Sequence, residues 1–430
     1  MDTMNSILNV DEKFVETDTI KSYEYNEYLP TSGSNFSIPG IITIHIECQD
    51  EFYHPRRSCL LVEGDVLKAN GQRYVAGADN IALSNNGIMH LFSNVKYEIA
   101  GEEIESVNNP GIAGVMMNAA KLPYDYTNGI GLMQCWAPDT DATQLGDKGW
   151  QKRKEYIIGK SDPKGSFSFV IELENVFGFI EDYDKVTYGM RHKLTLVRKG
   201  DNDAIYRTAG TDNGKVRLSK VAWLMPRVHA SDAKKFDLYR KIESKVSIDA
   251  AFRMRQCNVA EIPPNVTTFD WRLGVRSAPE KPRHILIALQ KDRSGDQTKN
   301  VSVFDHEEIT QVSVVLNDTK YPARDIHADF KKHKFIEYYK SFSDFARDYY
   351  GLDPLTVGNF IDPISYKEEF PIFYINVSHQ SERLTQGVVD IKVQLRFGKN
   401  TEANTVAHAL IISDRRMKFT SDGSKMNIIY

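Results

Sequence analysis

Short runs in which apolar and polar side chains alternate dominate this chain. Ile42, Ile44 and Ile46 share one face while Thr43, His45 and Glu47 take the other; Phe167, Phe169, Ile171 and Leu173 repeat the pattern, as do Ile285, Ile287 and Leu289. A period of two with one apolar face marks half-buried strands of stacked sheets. Similar runs place further strands near residues 58–67, 88–93, 95–100, 193–198, 216–225, 248–256, 267–275, 309–316, 371–377, 388–397, 405–413 and 425–430. Between them, Asn86-Gly87, Asn128-Gly129, Asn213-Gly214, Ser294-Gly295 and Asp422-Gly423 supply the positive φ of tight turns.

Helical spacing is rarer. Residues 331–350 set Phe335, Tyr338, Tyr339, Phe342, Phe345, Ala346 and Tyr349 on one stripe, with Gly351 as a stop. A second helix is predicted after Ser231, an N-cap residue, with Phe236, Tyr239 and Ile242 turned inward. A third spans Ile112 to Lys121. The stretch from Pro123 to Lys164 is polar, aromatic and rich in Gly and Asp, too long for an ordinary connection, and reads as a surface excursion.

Spread over one eight-stranded jelly roll the chain would give roughly 54 residues per strand, against about 27 over two. The expectation is therefore an all-β chain of two consecutive jelly-roll sandwiches with a few helices in loops. A flexible N-terminal segment takes residues 1–22. The first sandwich takes 23–230, with its excursion near 123–164, and the second takes 231–430, with its helix near 331–350. The two halves share a plan of elements and no repeated letters.

Composition narrows the class. The chain has 430 residues, 54 Lys plus Arg against 58 Asp plus Glu, 41% hydrophobic residues and 26% charged ones, the balance of a globular protein with ample core. No run of about 18 apolar residues suits a membrane span, and the start, MDTMNSILNVDEKFVETD, lacks a basic leader, so a protein not secreted by a signal peptide is expected. Cys48, Cys59, Cys135 and Cys257 form no C-x-x-C pair, which fits a reducing compartment. Residues 1–28 carry seven acids and two bases, the opposite of a phosphate-binding arm. The basic groups Lys152 to Lys154, Lys331 to Lys334 and Arg415 to Lys418 form no stripe, so direct nucleic-acid binding is expected to be weak.

Four blocks carry a resemblance to a known family: LTLVRKGDNDAIYR (194–207), KVRLSKVAWLMPRVHASDAKK (215–235), EKPRHILIALQKDRSGDQTKNVSVFDHEEITQVSVVLNDTKYP (280–322) and FPIFYINVSHQSERLTQGVVDIKVQLRFGKNTEANTVAHALIISDRRMKF (370–419). In order and spacing the chain resembles the double jelly-roll-like proteins of invertebrate genomes, akin to major capsid proteins of Polinton-type and adintovirus-type DNA viruses. The resemblance implies two jelly rolls side by side and a homotrimer that closes into a pseudo-hexagonal capsomer and tiles a shell. It further implies a penton or minor capsid protein as a further partner, and a place in a virion or particle after an intracellular stage in cytoplasm or nucleus. It implies no catalysis and no cofactor, and supplies no active-site residues. Trp223, Met225 and Pro226 read as the end of a strand, Pro282 as the opening of another, and Asp305 and His306 as turn residues before the strand at 309–316.

Rival chemistries are weaker. An iron and 2-oxoglutarate oxygenase needs His-x-Asp/Glu and a remote His. His327 with Asp329, His45 with Glu47 and His306 with Glu308 match locally, with His379 or His408 as remote partners and Arg415 beyond, but eleven histidines produce roughly one or two such pairs by chance. For His327 and Asp329, capping the long helix is the better reading. Cys48, His54 and Cys59 lack a fourth zinc ligand. Glu102 with Glu103 and Glu368 with Glu369 point to opposite faces, as neighbours on a strand do. Trp136, Trp150 and Tyr124 crowd the excursion and would suit a carbohydrate-binding module, unless they anchor it or meet another subunit. Sequons at Asn35, Asn265, Asn300, Asn317 and Asn376 are expected to stay unused without secretion.

Overall fold

Alternating side chains become four large sheets, seen in a computed structural model that describes residues 19–31, 35–47, 51–141, 144–159, 164–245, 247–273, 280–352, 361–379, 389–421 and 426–429. The strands of the first half are β1 (Ile20–Tyr28), β2 (Gly40–Ile46), β3 (Phe52–Tyr53), β4 (Cys59–Lys68), β5 (Ile81–Leu83) and β6 (Phe92–Ile99). They continue as β7 (Glu102–Asn108), β8 (Ser166–Glu172), β9 (Thr187–Tyr188), β10 (His192–Arg198), β11 (Ile205–Arg207) and β12 (Gly214–Ala230). Those of the second half are β13 (Ile248–Ile262), β14 (Thr268–Leu273), β15 (Lys281–Lys291), β16 (Ile309–Leu316) and β17 (Thr319–Tyr321). After them come β18 (Phe373–Asn376), β19 (Ile391–Phe397), β20 (Thr405–Ser421) and β21 (Met426–Ile429).

Pairing repeats one plan twice. In the second half the sheets run β13-β20-β15-β18 and β14-β19-β16-β17; in the first they run β1-β12-β4-β8 and β2-β10-β6-β7, with β3 and β9 appended. Numbered within each half by these eight strands, both read first-eighth-third-sixth facing second-seventh-fourth-fifth. This is two antiparallel sheets joined by crossing connections, the double Greek key of a jelly roll. Among the described residues no strand ladder links the first set of sheets to the second.

In each half the longest helical insertion separates the fifth strand from the sixth. The first carries α2 (Pro110–Lys121), α3 (Tyr124–Asn128) and α4 (Lys148–Lys154); the second carries α7 (Ile336–Tyr350) and α8 (Pro363–Glu368). Shorter helices are α1 (Gly87–His90) and α5 (Gly178–Asp182), while α6 (Asp232–Glu243) connects the halves. Helices are thus more numerous than the alternation suggested.

Several elements depart from expectation for physical reasons. Residues 88–93 begin as α1, not a strand: Ile88 to Leu91 are all buried, and a short continuous apolar run does not distinguish the two forms. There Asn86, not Gly87, takes the positive φ of 58°. Gly295 has the expected positive φ, whereas Asn128-Gly129 ends a helix, Gly214 opens a strand, and Asp422-Gly423 lies outside the described residues. The long helix starts at Ile336, because Asp329 and Lys334 first close a tight turn through paired backbone hydrogen bonds of 2.9 Å. Gly351 stops it in the left-handed region, as predicted.

The helix after Ser231 buries none of its side chains, and Phe236 stands 68% exposed instead of turning inward. Tyr239 meets the rings of Phe52 and Tyr188 in the first sandwich, and Ile242 is half-buried against the core. β12 continues past Trp223, Met225 and Pro226 to Ala230, so these three lie within a strand; Tyr25 of β1 pairs with Pro226 there.

The core of the first sandwich centres on Trp223, fully buried with its ring edge-on to Tyr97. Removing an indole from so dense a site leaves a cavity that sheets cannot collapse to fill. Trp223→Ala should lower unfolding stability by about 3–5 kcal/mol, measured by urea denaturation. A loss within 1 kcal/mol would show the site to be loosely packed.

Candidate functional site: a charged seam and the surfaces it positions

Where the two sandwiches meet, buried charges from each side interlock. Glu105 of β7 is fully buried; its carboxylate accepts from the Phe179 N–H at 3.0 Å and from the Arg255 N–H at 2.7 Å, joining α5 of one half to β13 of the other. Burial raises its pKa to about 7 despite the Arg255 charge and the N–H donors. Glu181 of α5 accepts from Lys121 at 3.2 Å, from the Arg255 guanidinium, and from the hydroxyls of Tyr349 at 2.5 Å and Tyr350 at 2.7 Å. Burial works against its charge, but Lys121 and Arg255 outweigh it and hold the carboxyl well below the usual range.

Arg253, two residues along β13, bonds Asp182 at 3.0 Å and lies 3.7 Å from the ring centre of Tyr349. Arg415 of β20 reaches back to the Ile104 carbonyl at 2.7 Å. Close approach is possible because residue 178 is glycine: a Cβ there would stand 1.7 Å from the Arg253 carbonyl oxygen. The seam went unseen in the sequence. Its local trace is two arginines spaced i, i+2 between the core residues Phe252, Met254 and Cys257, but their acidic partners lie about 70 and 150 residues away.

The histidine and carboxylate pairs do not assemble. His327 is exposed, and Asp329 is engaged by Lys332 at 3.0 Å in the turn before α7, so neither caps that helix. Glu47 pairs with Arg191 on the surface beside half-buried His45. His306 stacks on Phe330 with ring centres 4.5 Å apart, and Glu308 pairs with Lys331. His379 is exposed, while His408 is buried against Gln290 at 3.1 Å. His54 bonds Asp184 and Tyr23, and burial pushes the Cys59 thiol up to about 11; Cys48 lies outside the described residues. Among the described residues no three His, Cys, Asp or Glu side chains cluster as metal ligands would. The basic groups are divided in the same way, with Arg153 and Arg415 turned inward and Lys331 and Lys332 ion-paired.

The described residues of the 123–164 excursion form a shelf anchored in the core. Trp136 and Trp150 are buried, their indole N–H groups donating to Thr127 and to the Tyr206 carbonyl, so neither indole face is open to a sugar, while Tyr124 is exposed. Arg153, fully buried, pairs with Asp139 at 2.6 Å, and Asp139 accepts from Asn300 of the second half at 2.7 Å. On this base Ile130 and Leu145 face outward. A cleft separates Tyr124, Lys148 and Lys152 from Asp362, which caps α8, and Ser365 within it, beside exposed Ile364, so the shelves of the two halves lie next to each other.

Twin sandwiches of identical strand order, held edge to edge by a buried seam, define a double jelly roll. The chain belongs to the Double jelly roll-like domain family, which it matches over residues 81–417. No curated protein matches it. Solved structures do. One is the Sputnik virophage structure by cryo-EM, at TM-score 0.62 and 10% identity, covering 98% of this chain and 91% of that one. Another is the Faustovirus major capsid protein, at 0.57 and 9%, covering 97% and 93%. The PBCV-1 virus capsid, a quasi-atomic model, gives 0.56 and 10%, covering 98% and 100%. At such identities the likeness is one of fold.

Removing one partner of a buried ion pair leaves the other uncompensated, which costs more than the pair itself contributed. Glu181→Ala should therefore destabilise by about 3–5 kcal/mol in urea denaturation, and Lys121→Met in the same background should restore part of the loss.

Stability should also respond to acid in two stages. Burial pushes His90 and His192 down to about 3 and His284 and His408 to about 4. Below the ordinary value of 6.5 the unfolded chain binds protons that these four refuse, so each lowers stability as pH falls toward its folded pKa. Burial raises Glu105 and Glu369 to about 7 and Asp147 to about 6, so these gain protons first in the folded state and add stability as pH falls to their unfolded values. Below about 4.5 that compensation ends while the histidine loss continues and ionised Glu181 adds to it. The urea midpoint should change little from pH 7 to 4.5 and drop steeply below; a collapse already complete at pH 5.5 would contradict this balance.

Proposed function

We propose that this chain is a structural, self-assembling, capsid-like protein whose copies close into trimers and tile a shell. The observation that carries the reading is the doubled strand order, in a fold shared over nearly the whole length of the PBCV-1 virus capsid chain and the Faustovirus major capsid protein. A separate observation agrees with it: exposed Tyr124, Ile130 and Leu145 of one shelf and Ile364 of the other stand on rigid, buried anchors. Apolar side chains held out on a stiff base favour association, since little further ordering is needed to bury them. A heterologous contact between like subunits closes without open ends when three copies complete the ring.

In this reading the domains are the sandwiches of residues 23–230 and 231–430, and the partners are further copies and a minor capsid protein at the vertices. The protein resides in a particle after an intracellular stage, has no catalytic role, and leaves nucleic acid to other components. Among the described residues no helix is long and apolar enough to cross a membrane. Buried Trp136 and Trp150 count against the sugar-binding alternative, and the scattered histidines against the oxygenase.

Multi-angle light scattering of the purified protein should give three times the 49.0 kDa of one chain, or larger particles visible by electron microscopy. A monomer at tens of micromolar would refute the reading. Because Trp136, Trp150 and Arg153 are core residues, deleting 130–155 would unfold the first sandwich; Ile130→Asp with Ile364→Asp is the suitable test, and should abolish association while leaving the circular dichroism spectrum unchanged.

A further inference from the structure

Beneath the connecting helix α6 lies an apolar groove built from both halves, lined by Phe52, Tyr188, Met190, Leu238, Ile248 and Phe419. α6 flanks it with Leu238, Lys241 and Ile242 but leaves it open, burying no side chain fully. Ile248 is itself exposed, and so is Ile20, whose backbone partner Ala230 ends β12 next to α6. Lys241 lines the groove, Lys245 stands two residues past the end of α6, and neither makes an ion pair among the described residues. An apolar floor beside unpaired lysines fits an acidic segment carrying spaced apolar side chains.

The chain contains such a segment at the right place. Residues 1–18 hold five acids and one lysine, with Ile7, Val10 and Phe14 three and four positions apart. They lead directly into Thr19, whose carbonyl accepts from the Ser231 N–H at 3.0 Å, one residue before α6, and into Lys21, which pairs with Asp232 of α6 at 2.8 Å. Ile20 lies opposite Ala230 on one side of β12 and Phe52 opposite Val228 on the other. Two inter-strand spacings, about 10 Å, therefore separate the entry to β1 from the groove wall.

We propose that this groove is the docking site of the chain's own leading stretch, which sets Ile7, Val10 and Phe14 against its floor and its acids against Lys241 and Lys245. Docking there covers the apolar surface that α6 leaves open, and it ties the first sandwich, the connecting helix and the second sandwich together at the end of the molecule where β20 finishes. The proposal is independent of how copies assemble.

The test is disulfide trapping in the full chain. Under mild oxidation Phe14→Cys with Leu238→Cys should cross-link within one chain, read by peptide mapping in a mass spectrometer. It should do so at least tenfold faster than Phe14→Cys with Glu402→Cys, an exposed site at the far end of β20 and about 50 Å away. Adding Ile7→Asp and Val10→Asp should remove the difference. Equal rates for the two cysteine pairs would overturn the proposal, as would persistence of the difference after Ile7→Asp and Val10→Asp. Cross-linked dimers in place of monomers would also overturn it, assigning the groove to a neighbouring copy. Since Leu238 is half-buried on a helix with no core residue, the variants test docking and not folding.

Discussion

A charge taken out of water must be met by another, and here that requirement binds two sandwiches into one body. Arg253 and Arg255 stand on β13 of the second sandwich, and their acids, Asp182, Glu181 and Glu105, belong to the first. Neither half satisfies these groups alone. A second sandwich standing free would present two arginines from a strand whose neighbouring Phe252 and Met254 are core residues, and a first sandwich alone would carry a buried Glu105 with half of its donors missing. Among the described residues no strand ladder crosses between the halves, and side chains from Glu105, Glu181 and their partners provide the specificity with which the halves meet.

The outward surfaces inherit their position from this seam. Lys121 ends α2, and Tyr349 and Tyr350 end α7, so the same carboxylate, that of Glu181, holds the principal helix of each insertion. Beyond those helices the shelf of the first half is pinned by Trp136, Trp150 and Arg153, and it is linked to the second half through Asp139 and Asn300. Tyr124, Ile130 and Ile364 are thereby displayed on a base with little freedom to adjust. Rigid display is what association between identical copies requires, because each flexible side chain or loop immobilised on contact subtracts from affinity.

Much of the sandwich plan was legible because a strand with one wet face writes its period into the sequence, as Ile42, Ile44 and Ile46 do. Strands of two or three residues such as β3, β5 and β9 have no period to show, and β7 was missed because its polar start, Glu102-Glu103, hides the apolar Ile104 and Val107. α1 was misread because its side chains are buried all round. The aromatic crowding of the 123–164 stretch was visible, but only the packed structure shows that Trp136 and Trp150 point inward while Ile130 and Leu145 do not. The seam was hidden for a different reason. Its members are scattered from Glu105 to Arg415, and ion pairing at long sequence separation leaves no local pattern beyond the spacing of Arg253 and Arg255.

If the seam makes one building block of two sandwiches, they should unfold together. Differential scanning calorimetry is the most direct test: the account predicts a single transition whose calorimetric and van't Hoff enthalpies agree. Two resolved transitions, each the size expected for one sandwich, would contradict it.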